Sequence, residues 1–139
     1  MSHSPVSPDQ IPLGALCERM GMRVVECSAE RVVITMPVEG NTQPFGLLHG
    51  GANAVLIESA GSIGAAMHAG PDAMVVGLDI NATHHRSATG GHVTAVAEPL
   101  SLGRTLTCYE VSIRDDQDRL LATGRLTCMI RPLQAGRTS

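Results

Sequence analysis

The sequence predicts an α+β domain, an antiparallel β-sheet wrapped around one long central helix. Three observations carry this prediction. A single Ala- and Gly-rich apolar run extends from Gly50 to Ala69, long enough for a five-turn helix. Two strand-like segments precede it and four follow it, with no second long helix to cover a sheet face. The run is also apolar nearly all the way round, the pattern of a helix enclosed by protein. One helix and one sheet bury their apolar faces most economically when the sheet curls round the helix. A single helix covers neither both faces nor every edge of such a sheet, so self-association through an edge strand and the mouth of the central helix is expected.

The elements follow in order. Residues 1–9 are rich in Ser and Pro and are expected to be a disordered tail, with the domain spanning residues 10–132. Ile11, Leu13, Leu16, Cys17 and Met20 keep roughly helical spacing, with Pro12 suited to a first turn and Gly21 to a stop. Met22 to Cys27 and Arg31 to Val38 read as strands around a Ser28-Ala29-Glu30 turn, the second rich in β-branched residues. An irregular segment with Pro44 and Gly46 leads through His49-Gly50-Gly51 into the long helix, which Gly70-Pro71 ends. Ala73 to Ala82, His92 to Pro99, Thr105 to Arg114 and Arg119 to Ile130 are four further strands. In the last, Leu126, Cys128 and Ile130 alternate with Arg125, Thr127 and Met129, the period of a half-buried strand. Residues 133–139 are expected to be a disordered tail.

Composition excludes several classes. With 139 residues there is length for one domain. A net charge of -3 and the lack of a basic run argue against a nucleic-acid partner, and one Phe, one Tyr and no Trp leave no stacking platform for bases. Glu58 interrupts the one apolar run, so no membrane span is expected, and without an apolar leader the protein is expected to be cytoplasmic. Cys17, Cys27, Cys108 and Cys128 show no CxxC spacing and are expected to be buried free thiols. His84, His85 and His92 match no zinc pattern, so no metal is expected.

Glu58 is the odd residue. A carboxylate inside an apolar helix is seldom buried without a partner, and burial raises its pKa towards the range useful for proton transfer. It suits a general base on water, a nucleophile, or an ion-pair partner for Arg of a neighbouring subunit. Gly50 and Gly51 stand where the first amides of the helix lack intrahelical partners and favour developing negative charge. Gln43 is able to donate to a carbonyl or close its own loop. His49 is able to position the loop. Ser62, one turn past Glu58, shares its face and is small enough to leave room beside it.

Gln43-Pro44-Phe45-Gly46-Leu47-Leu48-His49-Gly50-Gly51, followed by Glu58 and Ser62, resembles the hotdog-fold acyl-CoA thioesterases, in particular the 4-hydroxybenzoyl-CoA and 1,4-dihydroxy-2-naphthoyl-CoA subgroup. Val75 to Ala82 with His84-His85-Arg86-Ser87-Ala88, and Pro99 to Arg104, extend the likeness across roughly residues 10 to 131. The resemblance implies a hotdog fold paired into dimers, and further into a dimer of dimers. It implies Glu58 as the catalytic carboxylate and the Gly50 amide as oxyanion donor. It places coenzyme A contacts near Gly77, on His84, His85, Arg86 and Ser87, and on Ser101, Leu102, Gly103, Arg104, Thr105 and Leu106, with the Arg side chains suited to phosphate. The expected activity is hydrolysis of an aromatic or medium-chain acyl-CoA, with no cofactor beyond the CoA of the substrate. A hydratase on this fold uses a paired His and Asp, and no Asp lies between Val38 and Pro71. A non-catalytic acyl-CoA binding or sensing module would keep the pocket and the cationic rim but have no need of Glu58.

Overall fold

The structure, a computed structural model, describes residues 6–133. A single 3-10 turn, Pro8–Gln10, leads into helix α1, Gly14–Arg19. Strands β1, Arg23–Cys27, and β2, Val32–Pro37, follow, then the long helix α2, Gly50–Ala69. The chain ends with β3, Ala73–His84, β4, His92–Leu102, β5, Leu106–Asp115, and β6, Leu120–Pro132. The six strands form one sheet in the order β1-β2-β4-β5-β6-β3, and every neighbouring pair is antiparallel. The expected α+β class and element order hold.

Helix α2 touches all six strands. Six strands laid flat span about 24 Å at their usual spacing, whereas a helix with side chains is about 10 Å across. The sheet therefore has to curl round the helix. Alternation supplies the buried face: Val32, Ile34 and Met36 of β2, Val93, Ala95 and Ala97 of β4, and Tyr109, Val111 and Ile113 of β5 are fully buried. Leu56 and Ile57 of α2 are likewise fully buried, each worth about 1.5–3 kcal/mol relative to exposure. The glycines of α2 set how closely it approaches. A Cβ on Gly61 would stand 2.7 Å from Leu126 Cδ2, and one on Gly64 would stand 2.6 Å from the Tyr109 ring.

Several expectations are corrected. Helix α1 starts at Gly14, after Pro12 rather than over it, with Leu13 at its cap. Strand β4 runs past Pro99 to Leu102, because a bulge between Pro99 and Ser101 absorbs the missing amide. The N-terminal tail is shorter than expected, since Pro8–Gln10 is already a turn; residues 1–5, and 134–139 of the C-terminal tail, lie outside the described residues. All four cysteines are free; Cys17 and Cys128 are buried, whereas Cys27 and Cys108 are only partly so. Among the described residues no helix is long and apolar enough to cross a membrane.

The largest correction concerns α2. It is not enclosed on all sides. Gly51, Glu58 and Ala66 are exposed, Val55 and Ser62 between them are half-buried, and the five fall on one helical face. Glu58, expected to be buried, stands on that open face. Beside it runs β3, an edge strand with exposed Met74, Leu78 and Ile80.

Candidate active site

The loop before α2 is held by its own polar groups. Asn41 donates its side-chain amide to the carbonyls of Met20, at 2.7 Å, and Pro37, at 2.8 Å. Gln43 N–H donates to Leu47 O at 2.8 Å, and Gly46, at φ +79°, makes the turn between them. Gln43 Oε1 accepts from Phe45 N–H, so part of its side chain closes the loop and only its NH₂ group is left to donate.

His49 is the N-cap of α2. Its Nδ1 accepts the Gly51 N–H at 2.8 Å, which puts the proton of the neutral ring on Nε2. Its carbonyl accepts the Ala52 N–H at 2.9 Å. Capping thus uses the second and third amides of the helix. The Gly50 N–H has no acceptor among the described residues, and Gly50 lines a cleft of about 350 Å³. An unpaired amide at the positive end of a five-turn helix is a ready anion donor.

The cleft gathers residues distant in sequence. Gln43, Gly50, His84, His85, Arg86 and Ser87 all line it, together with Asn53, Leu47 and Leu48. His84 ends β3 with its ring over the start of α2; a Cβ on Gly50 would stand 3.0 Å from His84 Nε2. His84 Nδ1 lies 3.2 Å from Asn53 Nδ2. His85 Nε2 meets Thr123 Oγ1 at 2.8 Å, and the His85 and Arg86 amides both donate to Leu121 O. Arg86 is exposed and makes no ion pair among the described residues.

Glu58 and Ser62 do not line this cleft. They stand on the open face of α2, where Glu58 packs against Gly77 and Ser62 lies beside Cys128. Gly77 opposes Cys128 across the β3–β6 pair, next to a bulge between Gly77 and Asp79. Burial pushes the Cys128 thiol up; hydrogen bonding from Ser62 works against this and the Glu58 charge adds to it. Gly77, expected near the coenzyme A contacts, lies against the carboxylate of Glu58.

The second expected coenzyme A segment is elsewhere. Ser101 and Leu102 end β4, Gly103, Arg104 and Thr105 turn, and Leu106 opens β5. This turn sits at the C-terminal end of α2, where His68 Nε2 and Gly103 O are 2.7 Å apart. His68, Leu102, Gly103, Arg104 and Ile130 border a hollow of about 390 Å³ there. A helix of 20 residues is about 30 Å long, so the 84–87 and 101–106 segments stand at opposite ends of it. One chain does not bring them together. Asn53 joins the cleft without being among the residues the sequence predicts there. Its signal was present: a lone amide three positions after Gly50 in an apolar helix.

Known proteins share this architecture. The model of the thioesterase superfamily matches residues 45–122, from the loop before α2 into β6. The chain is 41% identical over 117 residues to 1,4-dihydroxy-2-naphthoyl-CoA hydrolase of Listeria monocytogenes, covering 84% of this chain and 95% of that protein. It is 41% identical over 119 residues to proofreading thioesterase EntH of Cronobacter turicensis, covering 85% and 87%. The crystal structure of thioesterase HI1161 from Haemophilus influenzae superposes with a TM-score of 0.84 at 34% identity, covering 89% of this chain and 87% of that one. The sheet curled round one helix is that of the hotdog thioesterases, and the relatives make the chain a thioester hydrolase. The chain belongs to the thioesterase superfamily.

Proposed function

We propose that the protein hydrolyses the thioester of an aromatic or medium-chain acyl-CoA, in a site that two copies of the chain build together. The observation that carries this is the separation of Gly50 from Glu58. Eight residues along a helix span about 12 Å, and a glutamate side chain reaches about 4 Å. A carbonyl bound at the Gly50 N–H lies beyond the helix start, out of reach of Glu58 in the same chain. A second copy resolves this. Glu58 stands on the open face beside the unpaired edge of β3, where exposed Met74, Leu78 and Ile80 invite a partner strand. The two expected coenzyme A segments, at opposite ends of α2, likewise reach one CoA only from different chains. The arrangement is a homodimer at least, and a dimer of dimers is the assembly the resemblance favours.

In the proposed reaction the thioester oxygen accepts the Gly50 N–H, and the NH₂ group of Gln43 supports it. Glu58 of the other chain takes a proton from water, and the hydroxide attacks the carbonyl carbon. The negative charge gathers on the oxygen at Gly50, the tetrahedral adduct collapses, and the C–S bond breaks. The proton held by Glu58 passes to the leaving thiolate. In the alternative route Glu58 attacks the carbon itself and expels the thiolate, forming an anhydride that water then opens. His49 fixes the Gly50 amide by capping its neighbours, and Ser62 stands one turn from Glu58. Arg86 and Arg104 supply the cationic contacts for the phosphates.

The test is a free-thiol release assay over benzoyl-, hydroxybenzoyl-, dihydroxynaphthoyl- and fatty acyl-CoA esters, with Glu58→Ala as control. Release from one class, lost in the control, supports the reading. Tight binding of CoA esters with no release from any of them overturns it in favour of a binding module.

A further inference from the structure

Among the described residues two buried side-chain oxygens lack a hydrogen-bond partner, Asn53 Oδ1 and Thr107 Oγ1, and of the two residues Asn53 is the one that lines the cleft. Asn53 is 4% exposed, and its Oδ1 is buried without a hydrogen-bond partner. The same side chain lines the cleft that also holds Gly50, Gln43, His84 and Arg86. Its other amide atom is engaged: Nδ2 lies 3.2 Å from His84 Nδ1. With His84 Nδ1 accepting, the carboxamide is fixed, and the oxygen is the end left free. A buried acceptor left unmatched is unfavourable, so the native complex is expected to supply a donor.

We infer that Asn53 is a specificity-determining residue: its Oδ1 accepts a hydrogen bond from an N–H or O–H of the thioester substrate, close to the reacting carbonyl. This rests on the thioesterase reading of the cleft. The carbonyl oxygen lies about 3 Å beyond the Gly50 nitrogen, Asn53 follows about 4.5 Å along α2, and its side chain leans back toward the helix start, so the donor lies within about 5 Å of that oxygen. Two parts of an acyl-CoA have a donor at that range. One is a hydroxyl on the acyl group, as at the third ring position of a benzoyl ester. The other is the pantetheine amide N–H nearest the sulfur. A site that hydrogen-bonds such a donor discriminates against the analogue lacking it, because the buried acceptor is then left bare.

The test uses binding, so that it does not depend on turnover. Phenacyl-CoA and 3-hydroxyphenacyl-CoA are thioethers that keep the ketone but are not hydrolysed; their dissociation constants compare acyl donors. The phenacyl thioether of N-acetylcysteamine and its ester isostere, which replaces N–H by O, compare the pantetheine donor. Wild-type protein is expected to prefer the donor-bearing member of one pair by roughly 10- to 100-fold. Asn53→Ala is expected to bring that ratio to within about twofold while the melting temperature shows the fold intact. The wild-type comparison needs no variant. Equal affinity within both pairs, or a preference that survives Asn53→Ala, overturns the assignment. A clear preference with no thiol release from the matching thioesters would sink the thioesterase reading and leave Asn53 assigned. Turnover without any preference would do the reverse.

Discussion

The carboxylate of Glu58 rests on Gly77. A Cβ at position 77 would stand 3.1 Å from Glu58 Oε1 and 3.4 Å from Oε2. Residue 77 is thus the floor under the proposed catalytic base, and the adjoining bulge sets its height. Gly77→Ala pushes the exposed carboxylate aside by a few tenths of an ångström. The expected outcome is a fall in kcat of roughly tenfold, with KM and melting temperature little changed, since misplacement acts on the reacting geometry. Steady-state kinetics check it; an unchanged kcat would remove Gly77 from the support of Glu58.

Gly50 is the first residue of α2, and His49 before it is extended at ψ 132°. Proline is tolerated at that first position and accepts an extended predecessor. Gly50→Pro therefore deletes the proposed oxyanion donor while the helix survives; the exposed His84 ring has to move aside. The expected loss in kcat is about 10²- to 10³-fold.

A shared site makes a sharper prediction. Glu58→Ala and Gly50→Pro chains are each inactive alone. Refolded together, half the dimers are mixed, and each mixed dimer has one intact site, so activity returns to about a quarter of wild type. A mixture that stays inactive would place Glu58 and Gly50 in one chain's site.

Arg86 is exposed at the cleft rim with no ion-pair partner among the described residues. Arg86→Ala is expected to raise KM for CoA esters roughly tenfold and to change kcat much less, the signature of lost uniform binding. An unchanged KM would put the phosphates elsewhere.

Tyr109 is fully buried with its ring on Gly64, and its hydroxyl donates to Ala29 O. Burial, with smaller effects from the Glu30 charge and Cys128, pushes its pKa up to about 12 from 10.0. The unfolded chain loses this proton first, so stability is full below about pH 10 and falls as pH rises towards about 12. All ten Lys/Arg positions are Arg, so Tyr109 shares that range with the thiols, of which Cys128 and Cys27 are also pushed up by burial and add to the decline. Denaturant melts from pH 8 to 12 should show the decline in wild type and a flatter profile in Tyr109→Phe.

The sequence by itself determined the ladder of elements and the start of α2. Pro and Gly breaks, strand alternation and the His49-Gly50-Gly51 entry are local signals, and the cap they imply forms within three residues. The free Gly50 amide was legible for that reason. Tertiary structure alone decided which way α2 faces. A helix apolar all the way round carries no periodic signal for its covered side, so Glu58 reads as buried until Gly61 and Gly64 are seen docked on Leu126 and Tyr109. That docking turns Glu58 outward, sends Asn53 to a His84 that is 31 residues away in sequence, and puts the two cationic segments at opposite ends of the helix. These relations depend on how strands pair across the sheet and how the helix rolls on it, and no window of neighbouring residues encodes either.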